Sequence, residues 1–409
     1  MFNVPKAPDA LQPQTSIKKF FLIQKISFAA VGLDPTSIRR TIFRPWLTFI
    51  PLVSIIAVLG PMGIYAFNYL KIDLGKAVSA LSPFWQALLS IVKFFVFMLN
   101  RKKIVGLVRK VWLWTLEANE EELKIIAEEN RGDAKVCTFY YSMVNITGVL
   151  ATLAPVAVAA IYAWQGHDFW ESLDAPFKAE YFIDIKASIV IYAACFTWNF
   201  IGIYYIVNGS LSIDTLYSWI VSNISAQFRI LNLHYHQLSQ NIIAHKAMGN
   251  HNEEKFLKSI IDCVKYHRRI IQMSERFSEV YKVLVFFKFL VSCLQLACLS
   301  FIIPLGGEIA DQLFNLSFLM AVTTQLMLYC HGGQKIQDMT ISVNWAIYES
   351  FHWHDLSIKS QKLLLLTMIR AQKPCEIRGI FFKTDLSLFV WVYRTAGSFM
   401  TMLMSMEDK

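Results

Sequence analysis

Charge is scarce in this chain. Acidic and basic residues make up only 17% of the 409, against 55% hydrophobic, and the mean hydropathy is +0.41. An ordinary soluble domain carries roughly 25% charged residues, so that class is excluded. Cysteine is sparse too. Cys137, Cys195, Cys263, Cys293, Cys298, Cys330 and Cys375 fall mostly in or beside apolar runs, with no CxxC pair. That spacing excludes a disulfide framework and a thiolate zinc site, and they read as small buried hydrophobes. There is no glycine-rich loop to cradle a phosphate and no paired-carboxylate site, so nothing supports an enzyme and no cofactor is expected. His352 and His354 are expected on a helix, where residues two apart point to different faces, so no metal site is expected. The glycosylation sequons at Asn145, Asn208, Asn223 and Asn315 fall in apolar runs, on the basic side or too near the membrane. No internal repeat or low-complexity segment is present. The first 45 residues contain no short apolar core ending in a small-residue cleavage site, so the first apolar run is expected to be the insertion signal.

What remains is a set of long apolar runs. Seven are long enough to cross a bilayer: 46–69, 83–100, 137–164, 187–211, 281–304, 313–332 and 384–406. Kinks are expected at Pro51, at Gly60 and Pro61, and at Pro155, where proline removes a backbone donor. The net charge of +9 is not a phosphate-binding face, because the basic residues flank these runs, and nucleic acid is not an expected partner. Of the 39 Lys and Arg, 30 lie in four segments, 1–45, 101–136, 212–280 and 333–383. The alternate segments are nearly devoid of them: 165–186 is acidic, and 305–312 holds Glu308 and Asp311 without a cation. The positive-inside rule then places the N-terminus in the cytosol, and seven crossings place the C-terminus outside.

The expected fold is therefore an all-α integral membrane protein with seven transmembrane helices. Residues 1–45 form a cytosolic arm, 46–332 the first six spans with their cytosolic helical loops, 333–383 a cytosolic anchor helix, and 384–409 the seventh span, with no tail beyond it. A G-protein-coupled receptor also has seven spans, with the opposite orientation. Here the last span has no NPxxY pattern and the third no Asp-Arg-Tyr.

The stretches 212–280 and 333–383 look helical. From Leu257 to Met273 apolar residues recur at helical spacing and run toward the fifth span. Ile341, Trp345, Tyr348, Phe351, Leu363, Leu364, Leu365, Leu366 and Ile369 are too apolar for a solvated helix. They need a partner, either the chain's own helices or another copy, and an oligomer held together below the membrane is favoured.

The last span carries Arg394, Thr395, Ser398, Thr401 and Ser405. Steps of three and four align Ser398, Met402, Ser405 and Met406 on one face. Arg394 sits roughly 15 Å along the helix from Thr384, where a charge is costly without water or a partner. Two arrangements satisfy these residues. The face lines a wet pathway between subunits, or the hydroxyls bond their own backbone while the arginine snorkels or pairs with an acid. A ring of Met402 and Met406 side chains in a symmetric oligomer would make a dewetted constriction; the alternative is that they face lipid or neighbouring helices.

One stretch is more specific. Ala346, Tyr348, Trp353 and Ser357 are followed by Lys362 and a Leu-rich run to Arg370-Ala371-Gln372-Lys373-Pro374. Gly379, Leu386, Phe389, Tyr393-Arg394-Thr395, Ser398-Phe399 and Leu403 complete it, with weaker echoes at Ser212, Asp214 and His267. This pattern, over roughly the last 65 residues, resembles the insect odorant receptor family, and the architecture is similar over the whole chain. The resemblance implies a ligand-gated, non-selective cation channel of the plasma membrane of olfactory sensory neuron dendrites, with a tetrameric pore lined by the last span. It implies an odour-tuning subunit that assembles as a heterotetramer with a co-receptor subunit, or as a homo-oligomer, among membrane lipid. The gate then falls on Met402 and Met406 with Ser405 between them, where many members carry Leu or Val, and Ser398 and Arg394 lie on the same span. The odorant pocket falls on Trp85, Leu88 and Leu89; Ala151, Thr152 and Pro155; Thr197 and Phe200; and Phe318 and Val322. Those residues suit a small volatile ester, alcohol, aldehyde or terpene. The alternatives are a G-protein-coupled type of receptor and a gustatory-type channel of the same superfamily; the last-span Thr-Tyr…Gln-Phe element of the latter is absent.

Overall fold

The computed structural model describes residues 18–36, 46–247 and 253–407. Lys6, Arg39, Arg40 and Arg44 of the expected N-terminal arm lie outside the described residues. Among those described, the α-helices are α1 (Leu22–Ala30), α2 (Trp46–Tyr69), α3 (Leu74–Glu117), α4 (Glu120–Trp164), α5 (Ile189–Ala247), α6 (Glu253–Leu305), α7 (Ile309–Ser350), α8 (Ile358–Ala371) and α9 (Leu386–Glu407). The helices α2 to α7 are long and apolar enough to cross a membrane. The seventh expected span is α9, whose 22 residues extend about 33 Å, enough for the hydrocarbon core.

Five of the expected spans are parts of much longer helices, whereas 46–69 and 384–406 match α2 and α9 nearly whole. The helix α5 has 59 residues and α6 has 53, so α5 extends about 90 Å, several times the hydrocarbon thickness. The helices run through Pro51, Pro61, Pro83, Pro155 and Pro304. Their starts are capped where the chain turns. The Asp73 side chain accepts from the Lys76 backbone N–H at 2.9 Å. Asn119 and Glu122 form a reciprocal capping box at the α3–α4 turn, both bonds at 2.9 Å. His352 and His354 do not lie on a helix of the expected kind. His352 precedes a short 3-10 turn, Trp353–Asp355, and His354 lies within it, their rings stacked 6.0 Å apart.

Beyond the spans, the extensions of α3 to α7 form a basal bundle with α1 and α8. Its axis is α5: from Asn208 to Leu231 nearly every residue is buried on all sides. Leu216, Tyr217, Trp219, Ile220, Ile224 and Phe228 supply its apolar surface, and the buried polar residues Ser210, Asp214, Thr215 and Asn223 among them have hydrogen-bond partners. Phe21 stands edge-on to Trp219 at 4.7 Å and to Trp112 at 5.4 Å, and the Gln24 amide donates to the Thr215 carbonyl at 3.2 Å, so the arm docks on α5. Around this core Glu129 bridges Arg229 at 2.7 Å and Lys335 at 2.5 Å, and Lys246 meets Asp355 at 2.5 Å. All seven cysteines are free, and all but Cys195 are buried.

The apolar residues singled out on α7 and α8 divide in two. Phe351 and Leu364 are buried by the chain's own helices. Ile341, Trp345, Tyr348, Leu365, Leu366 and Ile369 remain exposed on the single chain. The segment between α8 and α9 closes on itself through a bridge between Arg378 and Lys383 and a Thr384 N–H to Ile377 carbonyl bond of 2.8 Å, and Gln337 of α7 donates to its Thr384 carbonyl at 3.3 Å. The segment seats directly on Gly333, where a Cβ would stand 2.1 Å from the Thr384 carbonyl oxygen. Only a glycine permits this approach, which sets where α9 begins. We expect Gly333→Ala to lower stability by roughly 1–3 kcal/mol through overpacking. Gly209→Ala, with nothing near its added methyl, should be neutral or slightly stabilising. Thermal melts of detergent-purified protein distinguish the two.

His267 lies in the basal bundle, almost fully buried, with Nε2 unpartnered. Burial pushes its pKa down from 6.5 to about 4, and the Arg370 charge adds to the shift. Unfolded, the imidazole takes up its proton near 6.5; folded, near 4. The unfolded state binds more protons between those values, so stability present above pH 6.5 is lost as pH falls toward 4. Melting temperatures measured across that window should fall, and His267→Gln should flatten the slope.

Candidate functional site

A cavity opens among four of the spanning helices. Pro83 and Gln86 of α3, Val144, Gly148 and Ala151 of α4, Ile203, Ile206 and Val207 of α5, and Phe314, Phe318 and Val322 of α7 form its walls. It holds about 590 Å³ of empty space, counting its open mouth. Phe177 reaches in from the 165–188 loop. Three contacts tie that loop down: the Glu180 N–H donates to the Pro61 carbonyl at 3.1 Å, Lys178 pairs with Asp311 at 3.1 Å, and the Asn199 amide donates to the Tyr181 hydroxyl at 2.6 Å.

The lining is apolar except toward one end, where Gln86, Tyr140 and Gln325 belong to a buried polar cluster. Its centre is the Asp214 carboxylate of α5. Oδ2 accepts from Lys93 Nζ at 2.7 Å, from the Tyr140 hydroxyl at 2.8 Å and from the Gln325 amide; Oδ1 accepts from the Tyr329 hydroxyl at 2.7 Å. Lys288 Nζ donates to the Gln325 amide oxygen. Ser210 accepts from Gln86 at 2.8 Å and from Lys93 at 3.3 Å, and Gln295 donates to the Gln86 oxygen at 2.9 Å. Lys93, Asp214 and Lys288 are each 0% exposed. Every helix from α3 to α7 contributes a group.

Of the expected pocket residues, Ala151, Phe318 and Val322 line this cavity, and seven do not. Trp85 packs instead beside Cys298, Phe301 and Ile302 of α6, with Leu403 of α9 in the same cluster. Leu89 is fully buried and Leu88 half-buried, both away from the lining. Thr152 is buried with its hydroxyl donated to the Gly148 carbonyl at 2.7 Å, and Pro155 is half-buried. Thr197 and Phe200 are exposed, the Thr197 hydroxyl bonding the Ala193 carbonyl at 2.7 Å. On α3 the inward arc is taken by Pro83 and Gln86, three residues apart, and Trp85, Leu88 and Leu89 stand on other arcs. Sequence reasoning passed over Gln86, Tyr140 and Gln325. The available signal was their polarity within apolar spans, which is costly and marks a functional position.

The helix α9 packs on α6 and α7 through Val392 and Ala396, which are buried. Arg394, Ser398, Met402 and Ser405 are exposed on the single chain, uncovered by any of its helices. The Met406 side chain lies outside the described residues. The hydroxyls bond their own backbone, Ser398 to the Arg394 carbonyl at 3.2 Å and Ser405 to the Met402 carbonyl at 2.8 Å. Among the described residues no group of three or more His, Cys, Asp or Glu is placed to hold a metal ion.

The buried pair yields a direct expectation. Removing one partner strands an uncompensated charge, so Asp214→Ala should cost roughly 3–5 kcal/mol. It should be read as lost surface expression and a lower melting temperature. The double variant Lys93→Met with Asp214→Leu should recover part of the loss, because no lone charge is left between those two positions.

Comparison with known proteins places this arrangement among others. A family profile described as 7tm Odorant receptor matches residues 73–397. The chain is 27% identical to Odorant receptor 45a of Drosophila melanogaster over 95% of this chain and 99% of that protein. It is 25% identical to Odorant receptor 9a of the same species, over 94% and 95% respectively. The insect olfactory receptor OR5 from Machilis hrabei, solved in complex with eugenol, shares the fold with a TM-score of 0.75. The sequences are 16% identical, and the match covers 95% of this chain and 97% of that one.

Proposed function

The chain belongs to the 7tm odorant receptor family of ligand-gated cation channels, and we propose that it is an odour-tuning subunit of such a channel. In this reading a small volatile ligand enters the cavity between α3, α4, α5 and α7, and its binding opens a central pore lined by α9 of four subunits. The observation that carries it is the pairing of two features in one chain: a largely apolar cavity within the spanning helices, and a terminal helix whose Arg394–Ser398–Met402–Ser405 face its own chain leaves uncovered. The solved neighbour of the same fold was captured with eugenol, a ligand of the size this cavity suits.

Three finer points belong to the same proposal. The basic segments place the N-terminus in the cytosol. The exposed apolar residues of α7 and α8 pack against neighbouring subunits in the basal bundle, with a co-receptor chain completing a heterotetramer at the plasma membrane. Met402, and Met406 beside it, form the constriction, where large apolar side chains exclude ions by dewetting. Of the expected pocket residues, Ala151, Phe318 and Val322 meet the ligand directly.

The test is electrical. In excised patches from cells expressing this chain with a co-receptor, odorant-evoked current should persist without GTP, and Met402→Ala should raise the standing current severalfold. A response that vanishes when nucleotide is withdrawn would instead establish a G-protein-coupled receptor.

A further inference from the structure

We propose that the cavity selects ligands bearing one hydrogen-bond-accepting oxygen, and that the Gln86 amide receives that oxygen. The proposal rests on the cavity being the odorant site and goes beyond that reading by specifying the ligand's chemistry.

The hydrogen-bond inventory at the polar end of the cavity is lopsided. The Thr147 hydroxyl lines the cavity but donates to the Met143 carbonyl at 3.0 Å. The Tyr140 hydroxyl is donated to Asp214 at 2.8 Å. The Gln325 amide is held at both ends, its oxygen by Lys288 and its nitrogen by Asp214. Gln86 differs. Its oxygen accepts from Gln295 at 2.9 Å and its nitrogen donates to Ser210 at 2.8 Å. A primary amide has two N–H groups, and one is used. Turning both amides over together does not change the count, because the Gln86 nitrogen would then donate to the Gln295 oxygen while its own oxygen accepts from Ser210. Either way one N–H of a cavity-lining side chain remains to be matched.

The unpartnered acceptor of the cluster, the Gln295 oxygen, is not on a cavity-lining residue. The cluster brings together two amines and three amides, with one carboxylate that already receives four donors. Nitrogen donors are in excess, so an incoming group satisfies the site best by accepting. A ketone, ester, aldehyde, ether or alcohol oxygen does so; a hydrocarbon of the same shape does not. The remaining walls, with Ile203, Val207, Phe314 and Phe318, take the carbon skeleton. A hydrogen bond exchanged against water contributes a modest net gain, equivalent to about tenfold in affinity.

The experiment uses matched probes, 2-alkanones of about six to ten carbons, against the 2-methyl-1-alkenes in which CH2 replaces the carbonyl oxygen. Binding is read as thermal stabilisation of the full chain purified in detergent. The expected result is that ketones bind about tenfold tighter than their alkene isosteres. Gln86→Leu should narrow that gap to within about twofold, and Thr147→Val should preserve it. Equal affinity for the two series in the unaltered protein, or binding of neither, overturns the proposal, and so does an undiminished gap in Gln86→Leu. The unaltered protein alone decides the first point if the leucine variant fails to fold. Selective binding without any evoked current with the co-receptor would instead remove the channel reading and leave this one standing.

Discussion

The Asp214 carboxylate is the constraint around which the spans are arranged. It is fully buried and answered by Lys93, Tyr140, Gln325 and Tyr329, so α3, α4, α5 and α7 must all reach it at one level. Lys288 joins through Gln325 and brings in α6. A pair of this kind is weak evidence for stability, because desolvating both charges costs several kcal/mol per ion. Its effect is on register. Sliding any one helix by a turn would leave a buried donor or acceptor unmatched, and apolar packing between smooth spans offers no comparable penalty.

From that level the molecule departs in two directions. On the basal side, α5 is enclosed on every face, and the packing resembles the interior of a soluble helical protein. On the other side the helices splay. The most apolar windows of α4 and α5 are only 22% and 28% buried, whereas that of α6 is 67% buried. Side chains such as Val149 and Leu153 of α4 are therefore left exposed on the single chain, and the cavity lies between the helices on this side. The same constraint that seals the base thus gives the cavity its polar floor. The helix α6 occupies an unusual place, since it supplies Lys288 and Gln295 to the floor and also packs against α9. One rigid element touches both the cavity floor and the helix with the uncovered face.

Much of this was legible in the chain. Each of the seven expected runs coincides with a helix, because run length and hydropathy are local quantities and a bilayer imposes a minimum length. The helical character of 212–280 and 333–383 was legible from apolar spacing, and α5, α6 and α7 continue through those segments without a break at the spans. His352 and His354 were misplaced, since the chain turns after Ser350 and the short 3-10 turn there leaves no mark in the apolar pattern. The candidate pocket fared unevenly. Its four helices were identifiable, yet on α3 the inward residue is Gln86 and the expected Trp85, Leu88 and Leu89 face elsewhere. The phase of that span was marked only by Gln86, Ser90 and Lys93, polar residues at helical spacing among apolar ones.

The sequence by itself determined the class: membrane helices of sufficient length, basic segments on alternate sides, and a terminal helix carrying Arg394 and hydroxyls. These are properties of composition and order along the chain. Only the tertiary structure decided which side chains meet. Lys93 and Asp214 are 121 positions apart, and Gln86 and Gln295 are 209 apart. Nothing local distinguishes a lysine that finds a carboxylate from one that snorkels to water, because its partner comes from another helix. The rotation of each span is settled where five helices converge, and with it the residues that face the cavity.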